Sequence, residues 1–260
     1  ADIPITNTMM AAWLTIIVVG ILSYLATRKM KLVPRGLQNI IEVVLEALIG
    51  FVESIAGKDN GRKFFPVVAT IFIFVIANAW LALFPGFMSI GIWQTEIVHG
   101  VEETVQIALF RGANTDVNFP LALALVSFIF VEYWGFKVQG FTSYTSKFIN
   151  FRRYFSGWGM VLRGKIGSGM GMIFTGIIDI FVGFVELLSE LIRIVSFTFR
   201  LFGNMTAGEI LIFSIMFLIP WVAAVPFYGL ELFIGFVQAL IFCGLTVVFL
   251  VMAVAPHEEH

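Results

Sequence analysis

Seven ionisable side chains interrupt two long apolar runs in the last third of the chain. They are Asp179, Glu186, Glu190, Arg193, Arg200, Glu209 and Glu231. If these runs cross a membrane, each charge at mid-bilayer costs about 2.5–3.5 kcal/mol on insertion scales. We therefore expect these groups to face one another, water or another protein, and they are the first candidates for chemistry.

Four of these residues recur at every seventh position, namely Asp179, Glu186, Arg193 and Arg200. Seven residues are nearly two turns of an α-helix, so the four share one stripe that drifts by about 20° per step. Ser196 and Asn204, at i−4 and i+4 from Arg200, widen this stripe. The acidic part of the stripe, together with Glu190 and Arg193, leaves a second interpretation open: internal salt bridges that hold a helix bundle together.

Arg200 differs from the other charges because its helical neighbours Ser196, Phe197 and Asn204 include no acid. An arginine stays protonated at any physiological pH. A permanent cation within a membrane is an electrostatic barrier and a transient counter-ion for a moving carboxylate, but it is a poor proton carrier. We therefore expect the partner of Arg200 to come from elsewhere than its own helical neighbours.

Glu209 and Glu231 are suited to the opposite task, because carboxyl groups can take up and release protons. Glu209 follows Arg200 by nine residues and is expected to face the next helix, where Glu231 and Gln238 are seven residues apart. With Asn204 and Gln238 nearby, the two acids would line a polar path. The alternative is structural: two acids held by hydrogen bonds from Asn and Gln.

The composition shows which solvent surrounds these charges. Hydrophobic residues make up 59% of the 260 residues, charged residues 13%, and the mean hydropathy is +0.97. A soluble domain carries about 25% charged residues. The sequence therefore predicts an all-α, polytopic membrane protein, organised as a single membrane domain over 1–260.

Apolar runs predict the individual elements, since about 20 apolar residues span a bilayer. Three roughly upright spans are expected at 8–27, 64–84 and 119–136. Residues 36–57 repeat apolar side chains at helical spacing and predict an amphipathic surface helix. Residues 173–217 and 221–255 predict a hairpin of two long helices. The first would be about 65 Å long against a hydrocarbon core of about 30 Å, so it must tilt, curve or project.

Lysine and arginine placement predicts the orientation. Thirteen of the 16 basic residues fall within three segments: 28–35, 58–63 and 137–165. All three can face the cytoplasm if the N-terminus lies outside, 88–117 lies outside and the C-terminus lies inside. The sequence therefore predicts a multi-pass membrane protein with this topology.

Several classes of chemistry lack the residues that they need. The single cysteine, Cys243, excludes an intrachain disulfide, and no metal-ligand cluster or cofactor motif is present. We expect no cofactor, no nucleic-acid partner and no catalytic site, since neither a P-loop nor a nucleophile–base pair is visible. A haem protein would need histidines within the membrane, whereas His99, His257 and His260 lie outside the predicted spans. A purely structural membrane anchor remains a further interpretation.

The segment from Ser196 to Glu209, SFTFRLFGNMTAGE, resembles the signature of subunit a of F-type ATP synthases. Gln238-Ala-Leu-Ile-Phe, the ending Met252–His260 and Thr115-Asp-Val-Asn118 are also similar to this family. The resemblance covers about 60–255 and is strongest over 180–250.

The resemblance implies a role for each matched position. Arg200 matches the arginine that faces a ring of small hairpin subunits, subunit c, each with a carboxylate. Asn204, Glu209 and Gln238 match the outer half-channel, and Glu186 and Ser196 match positions near the inner one. Glu231 stands where many relatives carry a histidine.

The resemblance also implies a location, the bacterial plasma (inner) membrane, and several partners. Besides the ring of subunit c, these are the peripheral stalk subunits (subunit b), the catalytic head reached through the stalk, and membrane lipid. The alternative function is a self-contained proton-coupled secondary transporter. Such proteins often carry inverted repeats and broken helices, and no repeat is visible in this sequence.

Overall fold

The computed structural model describes residues 5–84, 86–98, 101–148, 152–162, 166–219 and 224–255. Over these residues it contains helices and one β-hairpin. The elements are α1 (Asn7–Thr27), α2 (Leu37–Ala82), β1 (Gly91–Val98), β2 (Val101–Ala108), α3 (Asn118–Gln139), α4 (Phe141–Phe148), α5 (Arg152–Leu162), α6 (Ile166–Leu218) and α7 (Ala224–Val254). Within this described part, five helices (α1, α2, α3, α6 and α7) are long and apolar enough to cross a membrane. The predicted all-α polytopic class is confirmed.

The chain forms two compact units. The first comprises residues 1–123 and 197–249, and the second comprises residues 124–196 and 250–260.

In the first unit, α1 is fixed at its start and at its middle. Thr6 caps the helix, because its Oγ1 accepts a hydrogen bond from the backbone N–H of Met9 at 3.3 Å. Further along, the buried Oγ1 of Thr15 donates to Oδ1 of Asn78 at 2.9 Å. Such buried polar pairs satisfy groups that lipid cannot, and this one locks α1 to α2.

Helix α2 is two helical segments joined at Gly57. The backbone there adopts φ 75° and ψ 164°, a conformation that is essentially restricted to glycine. A Cβ placed on Gly61 would lie 3.1 Å from Cα of Glu53, so the two segments run close together beside the kink. The predicted surface helix, 36–57, and the predicted span, 64–84, thus fall on opposite sides of one glycine.

Residues 91–108, within the segment 88–117 that was expected outside the membrane, form an antiparallel hairpin that was not predicted. Its register runs from Gly91 opposite Ala108 to Val98 opposite Val101. The chain after β2 then turns through a short 3₁₀ helix, Ala113–Thr115, into α3. This turn belongs to the site described below.

Aromatic and small residues pack α6 against α7 within the first unit. The Phe197 and Phe242 ring centroids are 4.7 Å apart, and Leu201, Ala239 and Cys243 are fully buried. The reduced Cys243 therefore serves as a small packing residue. Helix α6 has 53 residues, about 80 Å at 1.5 Å per residue. It exceeds the hydrocarbon thickness more than twofold.

In the second unit, close glycine contacts hold the shorter helices. Tyr144 of α4 lies in a notch at Gly135 of α3, where any Cβ would overlap the ring. Its hydroxyl donates to Oε1 of Glu132 at 3.2 Å. Helix α5 packs on the start of α6 in the same way, since a Cβ on Gly157 would lie 2.8 Å from the backbone of Ile173.

Candidate functional site

Two carboxyl groups from neighbouring helices line one cavity in the first unit. Glu209 of α6 and Glu231 of α7 both border this space, which has a volume of about 300 Å³. Polar side chains from three other places also line it: Asn78 from α2, Asn114 from the turn before α3, and Tyr228 from the start of α7. The side chain of Glu209 is 14% exposed, and Glu231 is 5% exposed. Both acids are thus withdrawn from bulk solvent and share one polar space.

Glycine at position 208 allows Glu231 to reach α6. A Cβ on Gly208 would overlap all three atoms of the Glu231 carboxyl group. The carboxyl therefore packs directly against the α6 backbone, one residue before Glu209. Any larger residue at 208 would push the two helices apart or displace the acid.

Glu209 is paired with a cation from outside its helix. Nε of Arg111 lies 3.0 Å from Oε1 of Glu209 and 3.3 Å from Oε2. The Arg111 side chain is 43% exposed. Hydrogen bonds between ionised partners are stronger than those between neutral ones, so this contact ties the loop after β2 to the wall of the cavity.

The turn that carries Arg111 is itself anchored at several points. A Cβ on Gly112 would lie 3.0 Å from Cβ of Ala82, which places the turn against the end of α2. Oγ1 of Thr8 in α1 donates to Oδ2 of Asp116 at 3.0 Å. The other oxygen of Asp116 accepts hydrogen bonds from the backbone N–H and the amide of Asn118, both at 3.0 Å. The position of Arg111 therefore follows from packed elements.

Asn114 lies at the centre of this turn. It is 2% exposed, and neither its amide nitrogen nor its amide oxygen has a hydrogen-bond partner among the described residues. Buried polar groups without partners are uncommon unless water satisfies them. Since Asn114 lines the cavity, its amide is a natural contact for water inside it.

A second polar link joins the two long helices. Nδ2 of Asn204 donates to Oε1 of Gln238 at 2.8 Å. Gln238 is 2% exposed, and its Nε2 has no hydrogen-bond partner in the part of the chain that the structure describes. The structure thus brings together four of the predicted site residues as two pairs, Glu209 with Glu231 and Asn204 with Gln238.

Arg200 borders a separate, shallow groove of the first unit. The groove is formed with residues of α2 and α7 that carry no charge: Phe51, Ile55, Val237, Leu240, Ile241, Gly244, Leu245 and Val248. Its neighbour Leu201 is fully buried, so this part of α6 is firmly packed. Arg200 thus borders a groove with apolar walls, as a cationic residue on a membrane helix.

Glu186 and Ser196 belong to the second unit, where Glu186 is half-buried and Ser196 is exposed. Close to them, Nη2 of Arg193 lies 2.6 Å from Oε2 of Glu190, and both side chains are largely buried. An internal ion pair is therefore present at 190–193, as the structural interpretation of these charges expected.

Sequence reasoning missed Arg111, Asn114 and Asn78. Arg111 is the single basic residue of 88–117. That isolation was the available signal, because a lone cation among acids indicates a specific partner. Asn114 and Asn78 gave no signal, since helical spacing relates residues of one helix only, whereas Asn114 lies in a turn and Asn78 lies on α2.

The fold and the site define a class: an integral, multi-pass membrane protein whose long helices carry paired carboxyls and an arginine. The ATP synthase A chain family model matches residues 9–251. The chain is 32% identical over 248 residues to ATP synthase subunit a of Campylobacter fetus subsp. fetus, covering 95% of this chain and 89% of that protein. It is 28% identical over 255 residues to subunit a of a Nitratiruptor species, with 98% and 91% coverage. The same protein of Helicobacter pylori is 29% identical over 247 residues, with 95% and 89% coverage.

The chain belongs to the ATP synthase A chain family. It is therefore a component of a proton-translocating F-type ATP synthase, in a family that is not itself catalytic. It is an integral, multi-pass protein of the bacterial plasma membrane.

Proposed function

We propose that this chain is the stationary subunit that carries protons to and from the rotor of the synthase. It offers two offset half-channels to the carboxylates of a ring of subunit c. Arg200 separates the half-channels and acts as the counter-ion of the passing carboxylate. The peripheral stalk (subunit b) holds the chain against the catalytic head.

One observation carries this proposal: two residues of α6 that are nine positions apart, Arg200 and Glu209, border two separate sites. Glu209 and Glu231 line the cavity, whereas Arg200 borders the apolar groove. Groups that exchange protons are thus set apart from a group that cannot, and this separation is what two half-channels that do not meet require.

The outer half-channel is the cavity, continued by Asn204 and Gln238. With the N-terminus outside, the segment between α2 and α3 faces the outside, and the cavity opens on that side. A proton passes the carboxyls of Glu231 and Glu209 and neutralises a ring carboxylate, which can then rotate into lipid. Glu231 acts here as an acid in a position where many relatives carry a histidine.

The inner half-channel is formed near Glu186 and Ser196. A ring carboxylate that has travelled around the ring loses its proton there, toward the cytoplasm. Arg200 then attracts the ionised carboxylate and blocks direct passage between the half-channels. A membrane potential of 100 mV is worth about 2.3 kcal/mol per charge, and this energy drives rotation.

The test uses the assembled synthase in inverted membrane vesicles. The R200A variant should lose ATP synthesis and ATP-driven proton pumping, while passive proton leak persists, because the barrier is gone. The R62A variant is the matched control, since it removes an arginine whose side chain is 75% exposed and pairs with Glu53 at 3.2 Å, away from the cavity and the groove. Undiminished ATP-driven pumping by R200A would refute the assigned role.

A further inference from the structure

We propose that Arg111 gates the outer half-channel by pairing with Glu209 whenever that carboxyl is ionised. The inference rests on the proposed function, because it assigns a positioning residue to the path through the cavity. Arg111 lies on the turn between β2 and α3, outside the long helices.

The contact geometry supports the pairing. Nε of Arg111 lies within 3.3 Å of both carboxylate oxygens of Glu209, so it compensates the negative charge that the two oxygens share. Glu209 is largely withdrawn from water, and a buried carboxylate needs a partner. Arg111 is the more exposed partner, with 43% of its side chain accessible, and can move into water without unpacking a helix.

The turn keeps the cation within reach. Gly112 packs against Ala82, and Thr8 holds Asp116. Two elements of the membrane domain, α1 and α2, therefore position a residue that belongs to neither. This anchoring keeps Arg111 next to Glu209.

The cavity assigns different tasks to its two carboxyls. The titratable side chains on its described wall are Glu209, Glu231 and Tyr228. Arg111 reaches Glu209, whereas Glu231 lies against Gly208 and the uncharged amides of Asn78 and Asn114 border the same space. Glu209 is thus the carboxyl whose negative charge is balanced by a cation.

The gate follows from this balance. A proton that binds a Glu209 oxygen forms an O–H bond and removes the negative charge that holds Arg111, so the guanidinium is released toward water. When Glu209 passes the proton to the next acceptor, that O–H bond breaks and the ion pair forms again. Each passage of a proton is thus coupled to one opening and closing of the Arg111 contact.

The experiment measures ATP synthesis driven by an imposed proton gradient in vesicles with the intact synthase. The R111Q variant should lower the rate at least about fivefold, a factor within the usual range for residues coupled through one contact. R111K, which keeps the charge, should recover a rate above that of R111Q. The R62Q control removes an exposed cation of comparable geometry and should leave the rate unchanged.

A double-mutant cycle with E209D shows whether Arg111 acts through Glu209. In the E209D background the acid remains but is one methylene shorter, so R111Q should lower the rate by a much smaller factor there. Equal factors in both backgrounds, with equal amounts of assembled synthase, would show that Arg111 is merely structural and would overturn the gate.

A different pair of variants tests the proposed function itself. If E209Q and E231Q synthesise ATP at the normal rate, the cavity is not the outer half-channel. If both variants are inactive while R111Q is fully active, the half-channel stands and the gate is wrong.

Discussion

Asn204 on α6 and Gln238 on α7 are joined by a hydrogen bond of 2.8 Å that links the two long helices between the cavity and the Arg200 groove. Gln238 is almost fully buried, and its Nε2 has no hydrogen-bond partner over the described ranges. In the Gln238 amide, the oxygen is thus held by Asn204, and the NH₂ group remains as a donor for a water molecule.

Replacing this amide should affect both stability and transport. We expect Gln238→Leu to lower the free energy of unfolding by about 1–2 kcal/mol, since the Asn204 donor loses its acceptor. Gradient-driven ATP synthesis should also fall, because a polar group leaves the proposed path. Gln139→Leu is the control: it removes an amide that donates to the carbonyls of Ala253 and Ala255, in the other unit. Equal loss of synthesis in both variants would contradict a role of Gln238 in the path.

The close approach of Glu231 to Gly208 predicts a sharp difference between two glycines of α6. Gly208→Ala should destabilise the protein by about 1–3 kcal/mol and reduce proton transport, because the new methyl group overlaps the carboxyl. Gly203→Ala should be neutral or stabilising, since nothing lies within 4 Å of its Cβ position. Thermal unfolding in detergent and ATP-driven pumping in vesicles measure the two effects. A harmless Gly208→Ala would show that the helices do not pack this closely.

The notch at Gly135 predicts a defect in the second unit. Gly135→Ala should cost about 1–3 kcal/mol, because its methyl group overlaps the Tyr144 ring. The matched control is Gly171→Ala on α6, whose Cβ position is open. Proteolytic cleavage within 140–148 should become faster only in the Gly135→Ala variant, because Tyr144 of α4 no longer packs against α3. Similar protection in both would rule out the notch as the anchor of α4.

Tyr144 also predicts a dependence on pH. Burial, followed by the negative charge of Glu132, raises the pKa of the Tyr144 phenol above its ordinary value of 10.0. The stability that the protonated phenol contributes is therefore fully present below pH 10 and is lost as the pH rises through the higher pKa of the folded protein. At a pH of about 11, wild type and Tyr144→Phe should show equal tyrosinate absorbance while folded. A larger signal from wild type would mean that Tyr144 ionises like an exposed tyrosine.

Much of the fold was accessible from the sequence because lipid imposes a strict rule on the backbone. Apolar runs of sufficient length must be helical, so the class could be predicted from runs such as 173–217 without any contact. The β-hairpin at 91–108 was not predicted. Its β-branched residues, for example Thr95, Val98 and Val105, are typical of strands, but three glutamates in this stretch interrupt the pattern.

The site was predictable where helical geometry applies and unpredictable elsewhere. The seven-residue spacing of Glu231 and Gln238 places both on one side of α7, toward α6. No such periodicity connects Arg111 to Glu209, which are 98 positions apart. That contact depends on where the turn after β2 packs against Ala82, and only the folded chain specifies it.

The kink at Gly57 joins two helical arms that border different sites of the molecule. The helical arm before the kink supplies Phe51 and Ile55 to the walls beside Arg200, while the arm after it supplies Asn78 to the carboxyl-lined cavity. A single residue without a side chain thus sets the angle between one wall of the apolar groove beside Arg200 and one wall of the carboxyl-lined cavity. A change in the angle at Gly57 would deform the groove and the cavity together, so the geometry of each depends on the same backbone joint.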